Sequence, residues 1–171
     1  DQGLSRKLTL VSAPAGFGKT SLLADWLASR SFELHGLSAE LVETAQTQSA
    51  RRTPQHIQAA WLSLDASDNE PLRFWFYVIT ALQRVEPALV ARARELLLEL
   101  QPRFDAMLAS LINAGLALSQ DVVLILDDYH HISASAIHAA LADLIQHLPP
   151  RLHLVLSSRS DPPLPIPRLR V

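Results

Sequence analysis

Four short, mostly apolar runs are spaced along the 171-residue chain, and longer stretches with helical periodicity separate them. The runs are Leu8–Val11, Ala60–Asp65, Asp121–Asp128 and Leu152–Ser158. Within the third run, Val122–Leu126 is apolar without interruption, which is typical of a parallel strand buried on both faces. Strands that alternate with helices predict an α/β fold built on a mainly parallel sheet.

Between these runs, apolar residues recur at the three- and four-residue spacing of amphipathic helices. The first such stretch follows Lys19, and its apolar face carries Leu22, Leu23, Trp26 and Leu27. Further helices are predicted at Leu72–Gln83, Pro87–Leu100, Arg103–Leu118 and Ala136–His147.

Polar residues mark the starts of two of these helices. The stretch 68–71 combines a capping side chain, an acid and a proline, as first turns of helices often do. Ser133 or Ser135 is predicted to cap the helix over 136–147. The aromatic residues near the start of the 72–83 helix, Phe74, Trp75 and Tyr77, are interpreted as mostly core residues rather than a base-stacking surface.

A polar stretch separates the first helix from the second strand. Residues 31–59 contain few apolar side chains, and Pro54 interrupts them. A segment with so little to bury gains little by folding. We therefore predict that 31–59 is a long, flexible insertion within a single domain that covers residues 1–171.

The loop between the first strand and the first helix carries the strongest chemical signal. Its sequence, APAGFGKT, approximates the phosphate-binding Walker A pattern G-x-x-x-x-G-K-[ST], with Ala13 at the first glycine position. Two glycines let successive N–H groups face one concavity at a helix N-terminus, where the dipole favours an anion. The lysine adds a charge for β- and γ-phosphates, and the threonine hydroxyl suits Mg²⁺. The predicted nucleotide-binding residues are Ala15, Gly16, Phe17, Gly18, Lys19, Thr20 and Ser21.

Two acids, Asp127 and Asp128, end the central strand, as in a Walker B motif. In P-loop proteins one carboxylate at this edge holds Mg²⁺, and a second orients or deprotonates an attacking water. We assign Asp127 to the metal and Asp128 to catalysis. Arg159, at the end of the last strand, is a second catalytic candidate because it could contact a γ-phosphate. The alternative for Arg159 is an ion pair with Asp161.

Other polar residues near these strand ends have open interpretations. Asp65 and Asp68 either cap the following turn or lie near the nucleotide. The pair His130 and His131 suggests a metal, but adjacent side chains point in different directions and no third ligand has a suitable spacing. We therefore predict no zinc site at the histidine pair.

Composition narrows the class of protein. A net charge of −2 gives no general attraction to nucleic acid or to an anionic membrane. The chain has no cysteine, which excludes disulfides and thiolate metal sites and agrees with a cytoplasmic location. No apolar run approaches the roughly 20 residues that span a bilayer, and the first residues do not form a signal peptide. We expect the chain to be truncated at both ends, because it starts just before a strand and stops in a proline-rich segment.

The positions of the motifs also predict the order of the sheet. One strand lies between the phosphate-loop strand and the acid-ended strand, and a further strand ends in the polar group Arg159. This arrangement is typical of the P-loop branch with strand order 5-1-4-3-2, counted along the predicted strands. The predicted architecture is a three-layer P-loop NTPase sandwich whose fifth strand lies beyond Val171.

Four segments carry a family resemblance: LTLVSAPAGFGKTSLLADWL, AWLSLDASDNEPLRFWFYVITAL, VVLILDDYHHI and LHLVLSSRSDPPLPIPRLR. Together they resemble the NTPase domain of STAND-type regulators, in particular the MalT-like ATP-dependent activators of the LuxR class. The resemblance covers nearly all of the chain outside 31–59. It implies Mg²⁺ at Thr20 and Asp127 and a sensor role for Arg159. It also implies phosphate binding by Gly16, Gly18, Lys19, Thr20 and Ser21.

The resemblance further implies a slow ATPase that acts as a switch. An ADP-bound resting form would exchange nucleotide and self-associate when an inducer binds. In the family, a winged-helix arm, a superhelical repeat domain and a LuxR-type helix-turn-helix follow this module. DNA binding would therefore belong to a C-terminal domain that is absent from this chain.

Two other classes of function fit these residues less well than the switch: a P-loop enzyme with vigorous turnover, and a scaffold that no longer binds nucleotide. A kinase would need an arginine-rich lid after the central strand, which DYHHISASAIHAAL does not provide. A motor or loader with vigorous turnover would need an arginine finger and remodelling loops that we cannot identify. A scaffold that no longer binds nucleotide is disfavoured by Lys19, Thr20, Asp127 and Asp128. The sequence therefore predicts a cytoplasmic, ATP-binding and slowly hydrolysing regulatory module.

Overall fold

A computed structural model of the chain describes residues 7–28, 33–36 and 57–164. The strands are β1 (Leu8–Ser12), β2 (Glu33–Gly36), β3 (Gln58–Ser63), β4 (Val122–Asp127) and β5 (Leu152–Ser158). The helices in these ranges are α1 (Lys19–Ala28), α2 (Pro71–Val85), α3 (Pro87–Leu97), α4 (Phe104–Gly115) and α5 (Ser135–Gln146). Short 3₁₀ turns follow β3 and β4, at Ala66–Asn69 and Tyr129–His131.

The strands form one parallel sheet in the order β1-β5-β4-β3-β2. The predicted α/β class and the relative order of the four predicted strands are therefore confirmed. Because β5 lies between β1 and β4, the loop after β1 and the acids after β4 flank the end of β5. All carboxyl ends meet at one edge of the sheet, which is where open α/β sheets bind ligands.

Strand β2 corrects the prediction for residues 31–59. Glu33–Gly36 pairs with Gln58–Trp61 of β3, so part of the predicted insertion belongs to the sheet. Strand β3 also starts earlier than predicted, and Ala59 is buried. The sequence ELHG gives a weak strand signal because an edge strand needs less apolar surface than a central strand. Residues 37–56 of the predicted insertion lie outside the described ranges, and the strand predicted beyond Val171 stays a prediction.

Helices cover both faces of the sheet and make three layers. On one face α1 packs through Leu23 and Leu27 against the sheet, and on the other face α2–α5 enclose the larger core. Alternate residues of β4 supply the two cores, as the two-residue period of a strand requires. All six residues of β4 are buried. This confirms the predicted central strand. No helix in the described part of the chain is long and apolar enough to cross a membrane.

The predicted stretch 68–71 does start α2, but its acid, Glu70, is itself the capping residue. The Glu70 carboxylate accepts hydrogen bonds from the N–H groups of Leu72 (3.0 Å) and Arg73 (2.7 Å), and a proline occupies the first turn. Phe74 and Trp75 are buried with their rings edge to face at 5.3 Å, which agrees with their predicted role in the core. Glu70 thus satisfies the free N–H groups of the first turn and fixes where the helix begins.

Candidate functional site

The phosphate loop, defined here as residues 13–20, turns at two glycines. Gly16 has φ +81° and Gly18 has φ +67°, in the left-handed region that glycine adopts without strain. A Cβ added at either position would meet nothing within 4 Å, so backbone conformation rather than packing requires glycine here. Residues 14–18 are exposed. The loop therefore leaves its backbone exposed to solvent at the N-terminus of the ten-residue helix α1.

The Lys19 side chain folds back over this loop. Its Nζ donates hydrogen bonds to the carbonyl oxygens of Ala13 (2.7 Å) and Pro14 (3.1 Å), and the residue is 8% exposed. Within the described residues no carboxylate lies within ion-pairing distance of this amine. The positive charge is therefore held at the loop without a counter-ion, as an anion-binding lysine requires.

Thr20 and Asp127 join the two predicted motifs directly. The Thr20 hydroxyl donates a 2.9 Å hydrogen bond to Oδ2 of Asp127 across 107 positions of sequence. The other oxygen, Oδ1, accepts the Asp128 N–H at 3.0 Å, and Asp127 is 3% exposed. A hydroxyl and a carboxylate are the oxygen donors that Mg²⁺ prefers. These two residues therefore fit a magnesium ion.

Asp128 turns the chain sharply after β4. It has φ 56° and ψ 37°, and it is the only non-glycine residue with positive φ in the described ranges. Aspartate tolerates this region better than most residues, although it still costs about 1–2 kcal/mol. The Asp128 carbonyl accepts the His131 N–H at 3.1 Å, and the carboxylate is 37% exposed. Asp128 is thus fixed through its backbone while its carboxylate reaches solvent.

Arg159 is exposed directly after β5. Of the two interpretations given above, the ion pair with Asp161 is not formed in the described part of the structure. Burial lowers the pKa of His130 most, and the positive charges of His131 and Arg159 lower it further. The charge of Arg159 thus acts on the turn that follows Asp128.

The other predicted binding residues lie on the same loop and helix start. Ala15 and Ser21 are exposed, and Phe17 exposes 74% of its surface. The structure thus brings the predicted site residues to one edge of the sheet, from the ends of β1, β4 and β5.

Asp65 and Asp68, whose roles were open, form a capping box. The Asp65 carboxylate accepts the hydroxyl and the N–H of Ser67, both at 2.6 Å, and these hydrogen bonds lower the pKa of Asp65. Oδ2 of Asp68 accepts the Asp65 N–H at 2.9 Å, and Oδ1 lies 3.4 Å from the Arg73 Nε. The geometry supports the capping interpretation of this pair.

Asn69 is a residue that sequence reasoning missed. Its Oδ1 accepts the N–H groups of Ser133 (2.6 Å) and Ala134 (3.0 Å), and its Nδ2 donates to the His131 carbonyl at 2.8 Å. This corrects the prediction that Ser133 or Ser135 caps α5, because the helix has no side-chain cap of its own. The sequence carries no signal for this bond, since Asn69 and Ser133 are 64 positions apart.

A second buried contact holds the same turn. The Tyr129 hydroxyl lies 2.8 Å from Nδ1 of His138 on α5, and both residues are buried. Burial raises the pKa of Tyr129 and lowers the pKa of His138, so both are neutral near pH 7. We call residues 127–134 the acidic edge, which Asn69 and His138 hold from two sides.

The sheet order, the phosphate loop and the Thr20–Asp127 contact together define a P-loop NTPase-like α/β sandwich. No protein-family model matches the chain. Several curated proteins do, each called HTH-type transcriptional regulator MalT. The relative from Serratia proteamaculans is 36% identical over 166 residues. Those from Yersinia enterocolitica and Vibrio cholerae are 32% identical, over 166 and 169 residues.

Each of these alignments covers 96% of this chain but only 16% of the relative. The chain is therefore homologous to one segment of the MalT-like HTH-type transcriptional regulators, and it spans about one-sixth of the length of these relatives. The family resemblance predicted from the four sequence segments is therefore confirmed.

Proposed function

We propose that this chain is the ATP-binding, slowly hydrolysing switch module of a signal-responsive LuxR-type transcriptional regulator. The observation that carries the proposal is the 2.9 Å hydrogen bond between Thr20 and Asp127, next to the uncompensated amine of Lys19. A strand–turn–helix that resembled a P-loop by accident would have no reason to meet a buried acid at the end of another strand. The shared name of the relatives supports transcriptional regulation as the output.

In this proposal the phosphate loop binds the phosphates of ATP or ADP through its N–H groups and Lys19. Residues 15–21 form the nucleotide-binding segment. Thr20 and Asp127 hold Mg²⁺, which when bound neutralises charge on the β- and γ-phosphate oxygens. Asp128 orients or deprotonates the attacking water, and its partial exposure gives that water access. Arg159 contacts the γ-phosphate and reports its presence.

The biological role follows from the same chemistry. ATP and ADP differ by one phosphate, so a switch needs groups at the γ-position, and Asp128 and Arg159 are available there. We propose an ADP-bound resting form that self-associates after exchange for ATP. DNA binding belongs to a C-terminal domain outside this chain. A cytoplasmic location fits such a regulator.

Thermal unfolding of the chain with Mg²⁺ and ATP, ADP or GTP tests this proposal. A ligand at a hundred times its dissociation constant adds about 2.7 kcal/mol to the free energy of unfolding, enough for a clear shift of the midpoint. We expect ATP and ADP to raise the midpoint and GTP to have no effect. Lys19→Ala should remove the shift, because it deletes the charge that faces the phosphates.

The matched control is Lys7→Ala, an exposed lysine just before β1, which should keep the wild-type shift. Unchanged behaviour of Lys19→Ala would contradict the P-loop assignment. No shift with any nucleotide would overturn the proposed switch. An equal shift with GTP would show that the module does not select adenine.

A further inference from the structure

His130 is largely buried, and both of its ring nitrogens are buried without a hydrogen-bond partner in the described part of the chain. Its side chain is 14% exposed, and neither ring nitrogen bonds to any group in the described residues. The nearest carboxylate oxygen, Oδ1 of Asp128, lies 3.7 Å from Nδ1, which is beyond hydrogen-bonding distance. Nearly all buried polar atoms in folded proteins have a partner, so an imidazole with two unsatisfied nitrogens needs an explanation.

The surroundings of this imidazole point to an anion. The His131 ring stacks against it at 4.2 Å between centroids. After burial and the charge of His131, the nearby cations Arg159 and Lys19 both lower the pKa of His130. The imidazole thus lies 3.7 Å from the carboxylate of Asp128, which we assign to the water, and the charges of Arg159 and Lys19 act on it. This is the end of the proposed site that a γ-phosphate would occupy.

The end of strand β5 adds a second observation. The Oγ atoms of Ser157 and Ser158 are also buried without a hydrogen-bond partner among the described groups. Ser158 lies opposite Ser12 of β1, directly before the phosphate loop. Unsatisfied polar side chains therefore collect at the one edge where the predicted nucleotide-binding residues meet. Adjacent residues of a strand face opposite sides of the sheet, so a ligand at this edge reaches at most one of these two hydroxyls.

We propose that His130 donates a hydrogen bond to the terminal phosphate of ATP and so contributes to the discrimination between ATP and ADP. The inference rests on the proposed function, because it requires a nucleotide in the phosphate loop. A neutral imidazole carries one N–H donor, and a hydrogen bond from it to a phosphate oxygen is charge-assisted. ADP lacks that oxygen, so the bond forms with ATP alone. A metal ion is a weaker explanation than a phosphate for the unpaired ring nitrogens of His130. No group of three His, Cys, Asp or Glu side chains that could hold a metal occurs in the described ranges.

Isothermal titration of the full chain tests the contact through binding alone. The probes are ADP and a non-hydrolysable ATP analogue, adenylyl imidodiphosphate, each with Mg²⁺. We expect His130→Ala to weaken binding of the analogue about tenfold or more, as for a lost hydrogen bond to a charged group. Its affinity for ADP should stay within about twofold of wild type, since ADP does not make the bond.

Two further variants keep the test decisive. His130→Gln retains an N–H donor at a similar reach and should recover part of the lost affinity for the analogue. His147→Ala removes an exposed histidine at the end of α5 and should match the wild type with both nucleotides. Thermal midpoints measured for each variant without ligand show whether it is folded.

The outcomes separate the two proposals. An unchanged ratio of ATP-analogue to ADP affinity in a folded His130→Ala overturns the inference alone, and so does a folded His130→Gln that recovers none of the affinity lost in His130→Ala. An equal loss of both affinities in His130→Ala also overturns it, because the contact would then not be to the terminal phosphate. Failure of the wild type to bind either nucleotide overturns the proposed function and this inference with it.

Discussion

The phosphate loop leaves residues 14–18 exposed, whereas all six residues of β4, which lead into the acidic edge, are buried. Two glycines give the loop its shape, and the Lys19 amine donates hydrogen bonds to carbonyl oxygens of the same loop. The acidic edge is held by other elements. Thr20 reaches it from α1, Asn69 from the turn after β3, and His138 from α5.

The exposed loop and the internally held acidic edge suit two different tasks at one end of the sheet, the binding of a ligand and the positioning of reactive groups. An open loop presents backbone N–H groups whose partner comes from outside the protein, so it has few internal contacts to satisfy them. Groups that hold a metal or orient a water act well only when their positions are fixed before the ligand arrives. In the proposed function, the braced carboxylates carry out the chemistry and the open loop binds the phosphates.

Asp128→Asn gives the largest expected effect on this division. The substitution keeps the size of the side chain and its tolerance of positive φ, but it removes the carboxylate that we assign to the water. We expect hydrolysis at saturating ATP to slow by about a hundredfold or more. The dissociation constant for ATP should change by less than about threefold, because the loop is untouched. Asp105→Asn, at an exposed site on α4, is the control. Equal turnover in Asp128→Asn would remove this residue from the mechanism.

Asn69→Ala tests whether the acidic edge is braced by this amide. The variant leaves the N–H groups of Ser133 and Ala134 and the carbonyl of His131 without their partner. We expect a loss of about 2 kcal/mol in the free energy of unfolding, measured with urea. Asn113→Ala, at an exposed position of α4, should stay within about 0.5 kcal/mol of wild type. A similarly small loss in Asn69→Ala would mean that water replaces the amide and that the edge is held otherwise.

Gly16→Ala examines the open loop in the same way. An added methyl group meets no neighbour, so the penalty comes only from φ +81°. We expect the free energy of unfolding to fall by about 1 kcal/mol. Gly16→Asn should lose less, because asparagine accepts left-handed conformations more readily than alanine. A loss of several kcal/mol would show that the loop is packed and would weaken the contrast with the acidic edge.

The pH dependence of stability probes the buried contact between Tyr129 and His138 that holds the acidic edge, and it has the smallest expected effect. Burial lowers the pKa of His138 in the folded state, so the unfolded chain takes up a proton first as the pH falls. Stability should therefore decrease below about pH 6.5, by at most about 1.4 kcal/mol per pH unit for this group.

His138→Gln, which does not titrate, should flatten this slope in urea unfolding between pH 5 and 7. Since burial also lowers the pKa of His130, part of the slope should remain in this variant. His147→Gln, at an exposed site, is the matched control and should retain the wild-type slope. A variant at His138 with the full wild-type slope would show that this buried pair does not couple stability to pH.

Much of the molecule follows from short-range patterns. Val122–Leu126 predicts a central strand because every residue is apolar. Glu70 and Pro71 predict the start of α2 because the capping side chain and the proline act within one helical turn. The phosphate loop is likewise a local feature, since two glycines and a lysine define it within four positions. For such elements the determining contacts join residues adjacent in sequence, so composition and spacing predict them.

Other features depend on contacts that no local pattern contains. Strand β2 forms because an existing sheet edge offers hydrogen bonds to a segment of four residues with little strand character of its own. No serine caps α5, and Asn69 instead binds the N–H groups of Ser133 and Ala134 just before the helix, because the sheet order places the turns after β3 and β4 side by side.

The sequence by itself determined four of the five described strands, the five described helices and the positions of the glycine loop and the acid pair, because local hydrogen bonds and side-chain periodicity decide them. Only the tertiary structure decided that Thr20 touches Asp127, that Asn69 braces the acidic edge and that the ring nitrogens of His130 are buried without a partner among the described residues. These features arise when the parallel sheet aligns the ends of strands that are distant in sequence, and that alignment is set by the packing of the whole domain.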